Sequence, residues 1–523
     1  MYIFYLPLQK DKIVNMKHKI IIATVLFIAG LTISQPAAAQ SAAKPKTAAQ
    51  AYFDKTITQK GIRESVVAAM AVTASGDTLL SHNCDMLMTP ASCMKLITTG
   101  VALQQLGESH TWKTRLGYDG TISADTLKGN LYIIGGADPF LGSKDSLAFP
   151  IEKTFAQWKD SLAAAGIKHI EGMIIGDGRW IDGPMEEQNW LYEDLGTDYG
   201  ARVSGLNFYE NAQSFTISAG SAVGAKVMIR PHYPLPDWMN YHYNVTTGKV
   251  GTGDKTYLFT TTLSPHGEFR GTFAIDRAPK TLNCSNKFPE YTCARLFTDY
   301  LSANGITAKG TSAAQGYFCS ITPTPQEELK IIATTSSPSL GKVIYTTNYE
   351  SNNVFAETLL RTLGKEKTSS ACYDSSRVAL ERGLIRLGLG TREGIKIGDG
   401  SGLSRKNLVS PAYLCKFLCC MLEQDGNSET YFNSLPYPGA NGTMKYRMSS
   451  YPESLKKRIH YKSGSMEGVR CFSGYIAPGS WFSGEGSQEV IVFSIMINNT
   501  TTPNGTLQTL IDRTIERLAK VNL

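Results

Sequence analysis

Thr89-Pro90-Ala91-Ser92-Cys93-Met94-Lys95-Leu96 is the stretch on which the reading of this chain turns. Threonine is a capping residue, and proline suits the first helical position because it has no N–H to leave unpaired. A helix is expected to begin here. Leu96, Ile97, Leu103 and Leu106 continue it at helical spacing, and Gly107 can end it. On such a helix Ser92 and Lys95 lie one turn apart on one face. An amine beside a hydroxyl can take its proton, provided that burial and neighbouring positive charge lower the lysine pKa. The free N–H groups at the helix start favour a developing oxyanion.

A single Ser-x-x-Lys says little. Ser41 to Lys44 and Ser454 to Lys457 match it too, the first near the chain start and the second in an exposed basic stretch. Further along, Ser351-Asn352-Asn353 is a Ser-x-Asn ahead of an apolar helical pattern (Val354, Leu359, Leu360), with decoys at Ser81 to Asn83 and Ser302 to Asn304. Alone it reads as a helix cap. Lys462-Ser463-Gly464 opens a strand-like run and has no second copy. A lysine charge, a hydroxyl and a glycine that permits close backbone approach suit recognition of a terminal carboxylate. The order Ser-x-x-Lys, Ser-x-Asn, Lys-Ser-Gly is the combination found in class A β-lactamases and penicillin-binding proteins.

Outward from these motifs, both chain ends supply strands. Ser65 to Leu80 reads as a hairpin with its turn at Ser75-Gly76-Asp77, after a helix around residues 47–59. Arg470–Ile476 and Glu489–Asn498 read as apolar strands, followed by a helix whose Leu507, Leu510, Ile511, Ile515 and Leu518 share a face. The fold class expected is α/β (α+β), a sandwich with a largely antiparallel sheet. The middle, about 111–324, is rich in Gly, Tyr and Thr with short alternating runs such as Leu131–Ile134, Gly172–Ile175 and Tyr257–Thr262, and reads as β-rich inserted material.

At 523 residues the chain exceeds one ordinary core, so two or three domains are expected. With 42% hydrophobic and 19% charged residues, large-scale disorder is excluded. The net charge of +7 is modest, and no basic run is dense enough for a nucleic-acid surface. Met16-Lys17-His18-Lys19, the apolar run from Ile20 to Ile33 and Ala37-Ala38-Ala39 make a secretory signal, with residues 1–15 an upstream extension. Cleavage near Ala39 leaves an exported, periplasmic chain with no integral membrane segment, and the absence of cysteine before Cys84 excludes a lipid anchor there. Ten cysteines permit disulfides in that compartment, Cys284 with Cys293 being the best candidate pair; Cys415 and Cys419 suit a helix core. No Cys/His spacing fits zinc, and no cofactor is expected.

The resemblance extends beyond three motifs. Pro90 to Leu96 is similar to the active-site signature of the D-alanyl-D-alanine carboxypeptidase/endopeptidases, the class C low-molecular-mass penicillin-binding proteins. Asp399-Gly400-Ser401-Gly402-Leu403-Ser404-Arg405 resembles a run of that family. So do Ser204-Gly205-Leu206-Asn207, Ser336-Ser337-Pro338 with Leu340, and Leu435-Pro436 with Gly442-Thr443 and Arg447. The resemblance implies a β-lactamase/transpeptidase-like domain at 40–112 and 325–523, interrupted by one inserted domain at 113–210 and 272–324 and another at 211–271. About 255 residues between Lys95 and Ser351 leave room for them.

It also implies roles. Ser92 is the nucleophile, Lys95 its base, and Ser351 the proton relay to the leaving amine. Asn353 holds the substrate peptide; Lys462, Ser463 and Gly464 receive its carboxylate end. Backbone N–H groups of Ser92 and Ser465 form the oxyanion hole, peptidoglycan peptides are the substrates, and β-lactams acylate Ser92. The third motif carries Ser463 where the family usually has threonine, and the hydroxyl survives. A β-lactamase would need a Glu-x-x-Leu-Asn run, and Val203 stands where that glutamate would precede Leu206-Asn207. A non-catalytic peptidoglycan-binding protein has little reason to keep Ser92, Lys95, Ser351 and Lys462 together. Cys93, beside the nucleophile, reads as a small buried residue.

Overall fold

Ile491–Asn498 is mostly apolar because it is buried on both faces. Alternation sends Ile491, Phe493, Ile495 and Ile497 into a core with Phe53, Leu510 and Ile515. Val492 and Met496 enter the opposite core, which holds Leu96, Phe355 and Leu414. The strand lies at the centre of a five-stranded antiparallel sheet ordered 459–466, 469–476, 491–498, 66–73 and 78–82. One face is covered by the terminal helices Ala48–Ile57 and Asn504–Ala519. The other is covered by Met94–Leu106, Asn353–Thr368, Tyr373–Arg386 and Pro411–Leu422. This is the expected α/β sandwich with an antiparallel sheet.

The computed structural model describes residues 46–424, 426–478 and 489–521. The expected signal segment and upstream extension lie outside the described residues, as does the Ser41 to Lys44 decoy. Among the described residues no helix is long and apolar enough to cross a membrane.

Between Leu106 and Leu340 the chain builds a seven-stranded mixed sheet and two three-stranded sheets. The inserted material is β-rich, as expected, and its strand His169–Asp177 runs parallel to three neighbours. Two helices, Ile151–Ala164 and Pro289–Ala303, were not expected there. Their apolar residues (Phe155, Trp158 and Leu162; Cys293, Phe297 and Leu301) do follow helical spacing and bury one face each. Lys330–Ser336 pairs with Lys113–Tyr118 in the larger sheet. Lys280–Ser285 pairs with Ala212–Ser218 in the smaller unit. Partner strands this far apart in sequence are joined by hydrogen bonds that leave no mark on local periodicity.

Cys284 and Cys293 do not form the expected pair. Both are buried free thiols, one in the core of the smaller unit and one in the core of the larger sheet. Cys415 is buried on helix Pro411–Leu422, as expected, with Cys419 half-buried.

Candidate active site

The turn that carries Ser92 is gripped by the sheet rather than capped by its own threonine. Thr89 N–H donates to Asn498 Oδ1 at 2.7 Å, and Asn498 Nδ2 donates back to the Thr89 carbonyl at 3.1 Å. Pro90 therefore precedes a short 3-10 turn, Ala91–Cys93, that feeds helix Met94–Leu106, and no side chain caps it. Gly107 ends that helix at φ +81°, as expected. Two glycines let backbones close on the turn. A Cβ on Gly464 would lie 2.4 Å from the Pro90 carbonyl oxygen and 3.0 Å from Ser92 N. One on Gly402 would lie 1.9 Å from the Ala91 carbonyl oxygen. Gly464 thus serves the approach of its own strand to the Ser92 turn.

Lys95 is fully buried, and its amine meets no carboxylate at ion-pair distance among the described residues. Nζ lies 3.0 Å from Ser92 Oγ, 2.5 Å from Asn353 Oδ1 and 2.7 Å from the Ser401 carbonyl oxygen. Burial, aided by the Lys462 charge, holds the amine well below the usual lysine range against the pull of Asp399 and Glu357. A neutral amine has two N–H donors and one lone pair. With Asn353 Oδ1 and the Ser401 carbonyl taking the donors, the lone pair faces the Ser92 hydroxyl. That is the orientation a general base needs.

Ser351 and Lys462 form the second half. Lys462 Nζ donates to Ser351 Oγ at 2.9 Å and to the Ser463 carbonyl at 2.9 Å. Burial brings the Lys462 amine down to about 8. Ser351 sits at φ +59°, a left-handed conformation that costs about 1–3 kcal/mol and persists only where neighbours fix it. Asn352 does that fixing. It caps helix Asn353–Thr368, its Oδ1 accepting from Phe355 N–H, and its Nδ2 donates to Glu210 Oε2 at 2.7 Å. The cap that the Ser-x-Asn pattern suggested is supplied by its central residue, Asn352.

Asn353, expected to hold the peptide, has both ends of its amide engaged, accepting from Lys95 and donating to the Tyr199 carbonyl at 2.7 Å. Ser463 is half-buried and Ser465 exposed on the edge strand Ile459–Met466. Tyr461 N–H donates outward to Pro436, while Arg458 and Ala477 begin the inward pairing. By the period of two, the N–H groups of Ser463 and Ser465 also point outward, away from the sheet. Cys93 is buried, its thiol pushed up to about 12 by desolvation, and donates to the Lys462 carbonyl.

A cleft of about 1150 Å³ opens beside Ser351 and Asn353. Asp145, Tyr199, Tyr209 and Glu210 of the inserted region supply one wall, and Tyr345, Tyr349 and Glu350 another. Val203, at the position where a β-lactamase would need glutamate, is buried. Among the described residues no group of three or more His, Cys, Asp or Glu side chains is arranged to hold a metal ion.

Comparison with known proteins gives a consistent picture. The sequence profile described as "D-Ala-D-Ala carboxypeptidase 3 (S13) family" matches residues 49–520. A D-alanyl-D-alanine carboxypeptidase from Actinomadura sp. (strain R39) is 26% identical over 483 residues, covering 90% of this chain and 84% of the relative. A penicillin-sensitive carboxypeptidase A from Dictyostelium discoideum is 26% identical, with 88% of each chain covered. The crystal structure of penicillin binding protein 4 from Haemophilus influenzae superposes with a TM-score of 0.75 at 20% identity, covering 90% of this chain and 99% of that one.

Proposed function

The chain belongs to the D-Ala-D-Ala carboxypeptidase 3 (S13) family, and from that premise we propose that it is an exported serine D,D-peptidase acting on peptidoglycan stem peptides or cross-links through an acyl-enzyme on Ser92. The supporting observation is Lys95: a fully buried amine with no carboxylate partner among the described residues, 3.0 Å from Ser92 Oγ, with both N–H groups of its neutral form already satisfied.

In this reading Ser92 Oγ attacks the carbonyl of the penultimate D-alanine as its proton passes to Lys95. The N–H groups of Ser92 and Ser465 receive the oxyanion, an interaction whose loss typically costs about 3–4 kcal/mol. Ser351, tied to Lys462, carries a proton to the leaving amine. Lys462 and Ser463 hold the terminal carboxylate of the substrate. Water then releases the acyl group. The same serine takes β-lactams, since their ring carbonyl presents an equivalent acyl centre. The reading carries a three-part division with it, in which a peptidase domain from both chain ends holds two inserted units that wall the cleft.

Intact mass of the mature protein, followed in time after benzylpenicillin addition and mapped to a peptide, tests it. A long-lived adduct on the Ser92 peptide is the expected result. An adduct that forms and vanishes with penicillin turnover would instead mark a β-lactamase. Folded protein that takes no adduct, and binds peptidoglycan equally well as Ser92→Ala, would mark a non-catalytic binding protein.

A further inference from the structure

Behind Lys95 lies a fully buried carboxyl that the proposed chemistry does not use. Glu357 stands on helix Asn353–Thr368, one turn beyond Asn353, and is 0% exposed. Its Oε1 accepts two backbone N–H groups, from Gly400 at 3.0 Å and from Ser401 at 2.7 Å. The carbonyl of that same Ser401 is the acceptor 2.7 Å from Lys95 Nζ. Gly400 is fixed from its other side too, its carbonyl accepting from Thr98 Oγ1 at 2.7 Å. The remainder of the loop hangs on Asp399, whose oxygens accept from Gly402 N–H at 2.7 Å, Ser404 N–H at 2.6 Å and Trp190 Nε1 at 2.8 Å.

We propose that Glu357 is a positioning residue for the general base: by accepting from the N–H groups of Gly400 and Ser401 it fixes the backbone that sets the Ser401 carbonyl on one N–H of Lys95, and so turns the amine lone pair onto Ser92. This assignment rests on the reading of Ser92 and Lys95 given above. Asn353 alone can take only one N–H of a neutral amine. Without a second fixed acceptor the amine rotates about its last bond, and the lone pair spends its time elsewhere. A fully buried carboxyl is also a poor structural choice for joining a helix to a loop, because taking it out of water is costly. Its location one residue from the Lys95 acceptor gives it a use that a buried apolar side chain could not serve. Burial, then the Asp399 charge, raise its pKa, and what the Gly400 and Ser401 N–H groups take from it is an acceptor oxygen rather than a counter-charge.

That distinction supplies the test. A glutamine keeps the Oε1 acceptor and removes the charge; alanine removes both; aspartate keeps the carboxyl but draws it back by one methylene. The acylation constant and the dissociation constant of the complex preceding it are to be measured separately, by stopped-flow with a chromogenic cephalosporin. Glu357→Gln is expected to acylate at close to the parental rate. Glu357→Ala and Glu357→Asp are expected to acylate about a hundredfold more slowly with the preceding complex unchanged, as for any small misplacement of a reacting group. Parental rates in either of the latter two would overturn the assignment, as would a loss confined to the binding constant. Glutamine failing as badly as alanine would overturn it in favour of a charge role. Should alanine not fold, the glutamine and aspartate pair decides alone. A parent protein that takes no adduct breaks the Ser92 reading itself, and is thereby told apart from a failure at Glu357.

Discussion

Buried cations are held in two different ways in the inserted region and behind the cleft. In the inserted region they rest on carboxylates: Arg202 Nη2 reaches both oxygens of Glu290 at 2.6 and 2.7 Å, and Lys287 meets Glu186 at 2.5 Å. Behind the cleft, Lys95 and Lys462 are as deeply buried, yet their ammonium partners are hydroxyls, an amide and backbone carbonyls. The contrast shows what each pair is for. A carboxylate keeps its cation charged and locks two segments together. An amine given only neutral acceptors loses its proton readily and can work as a base. Lys287 shows the difference in degree, since burial lowers its pKa while Glu186 pulls it back.

The comparison is sharpened most by removing the catalytic amine without removing its volume. Lys95→Met is expected to slow acylation of Ser92 by about a thousandfold, within the range for loss of a positioned base. Its thermal midpoint should hold or rise, because an unneutralised buried amine has gone. Adduct kinetics beside calorimetry check both halves, and parental acylation would dissolve the contrast. Arg202→Met should do the reverse. It strands Glu290 in the interior and is expected to cost about 3–5 kcal/mol in urea unfolding, since one partner of a buried pair is left uncompensated. A near-parental midpoint would show that the pair does not lock the insertion.

The pH dependence is a finer probe. Lys462 has a folded pKa of about 8, below the 10.5 of a free lysine. The protonated amine is thus disfavoured by the fold, and its penalty is fully present below pH 8. Stability should rise as pH climbs from about 8 to about 10.5, by about 3 kcal/mol at most, and Lys462→Met should flatten that rise. Over the same range kcat/KM on a D-alanyl-D-alanine peptide should fall, as the charge meant for the carboxylate is lost. Stability and activity moving together would count against the role given to Lys462. The smallest effect expected is none. Dithiothreitol should leave the thermal midpoint unchanged, because Cys284 and Cys293 are free thiols in separate cores; a fall would show that a bridge had been missed.

Much of the outer frame was legible. The hairpin at 66–82, the two late strands and the last helix carry periodicities of two and 3.6 that follow from one-sided burial. The inserted region was harder, because parallel pairing of His169–Asp177 with distant strands has no local signature. At the site, Ser92, Lys95, Ser351 and Lys462 were named by motif, and the structure brings the first pair and the second pair each within 3.0 Å. Gly464 was named for close backbone approach, and its own strand meets Pro90 there. Glu357 carries no motif and was not named; the Ser-x-Asn motif read alone as a helix cap, and Asn352 is the residue in it that caps.

By itself the sequence determined the kinds of groups available and their spacing within one helical turn, because those depend only on covalent geometry and local propensity. Ser92 and Lys95 share a face whatever else the chain does. Only the tertiary structure decided which of the lysine's three directions points at the serine. The acceptor that fixes it, the Ser401 carbonyl, is 306 positions away and is itself held by Glu357 from a third segment. A pKa and a lone-pair direction are properties of an enclosure, and the enclosure exists only once the distant segments have met.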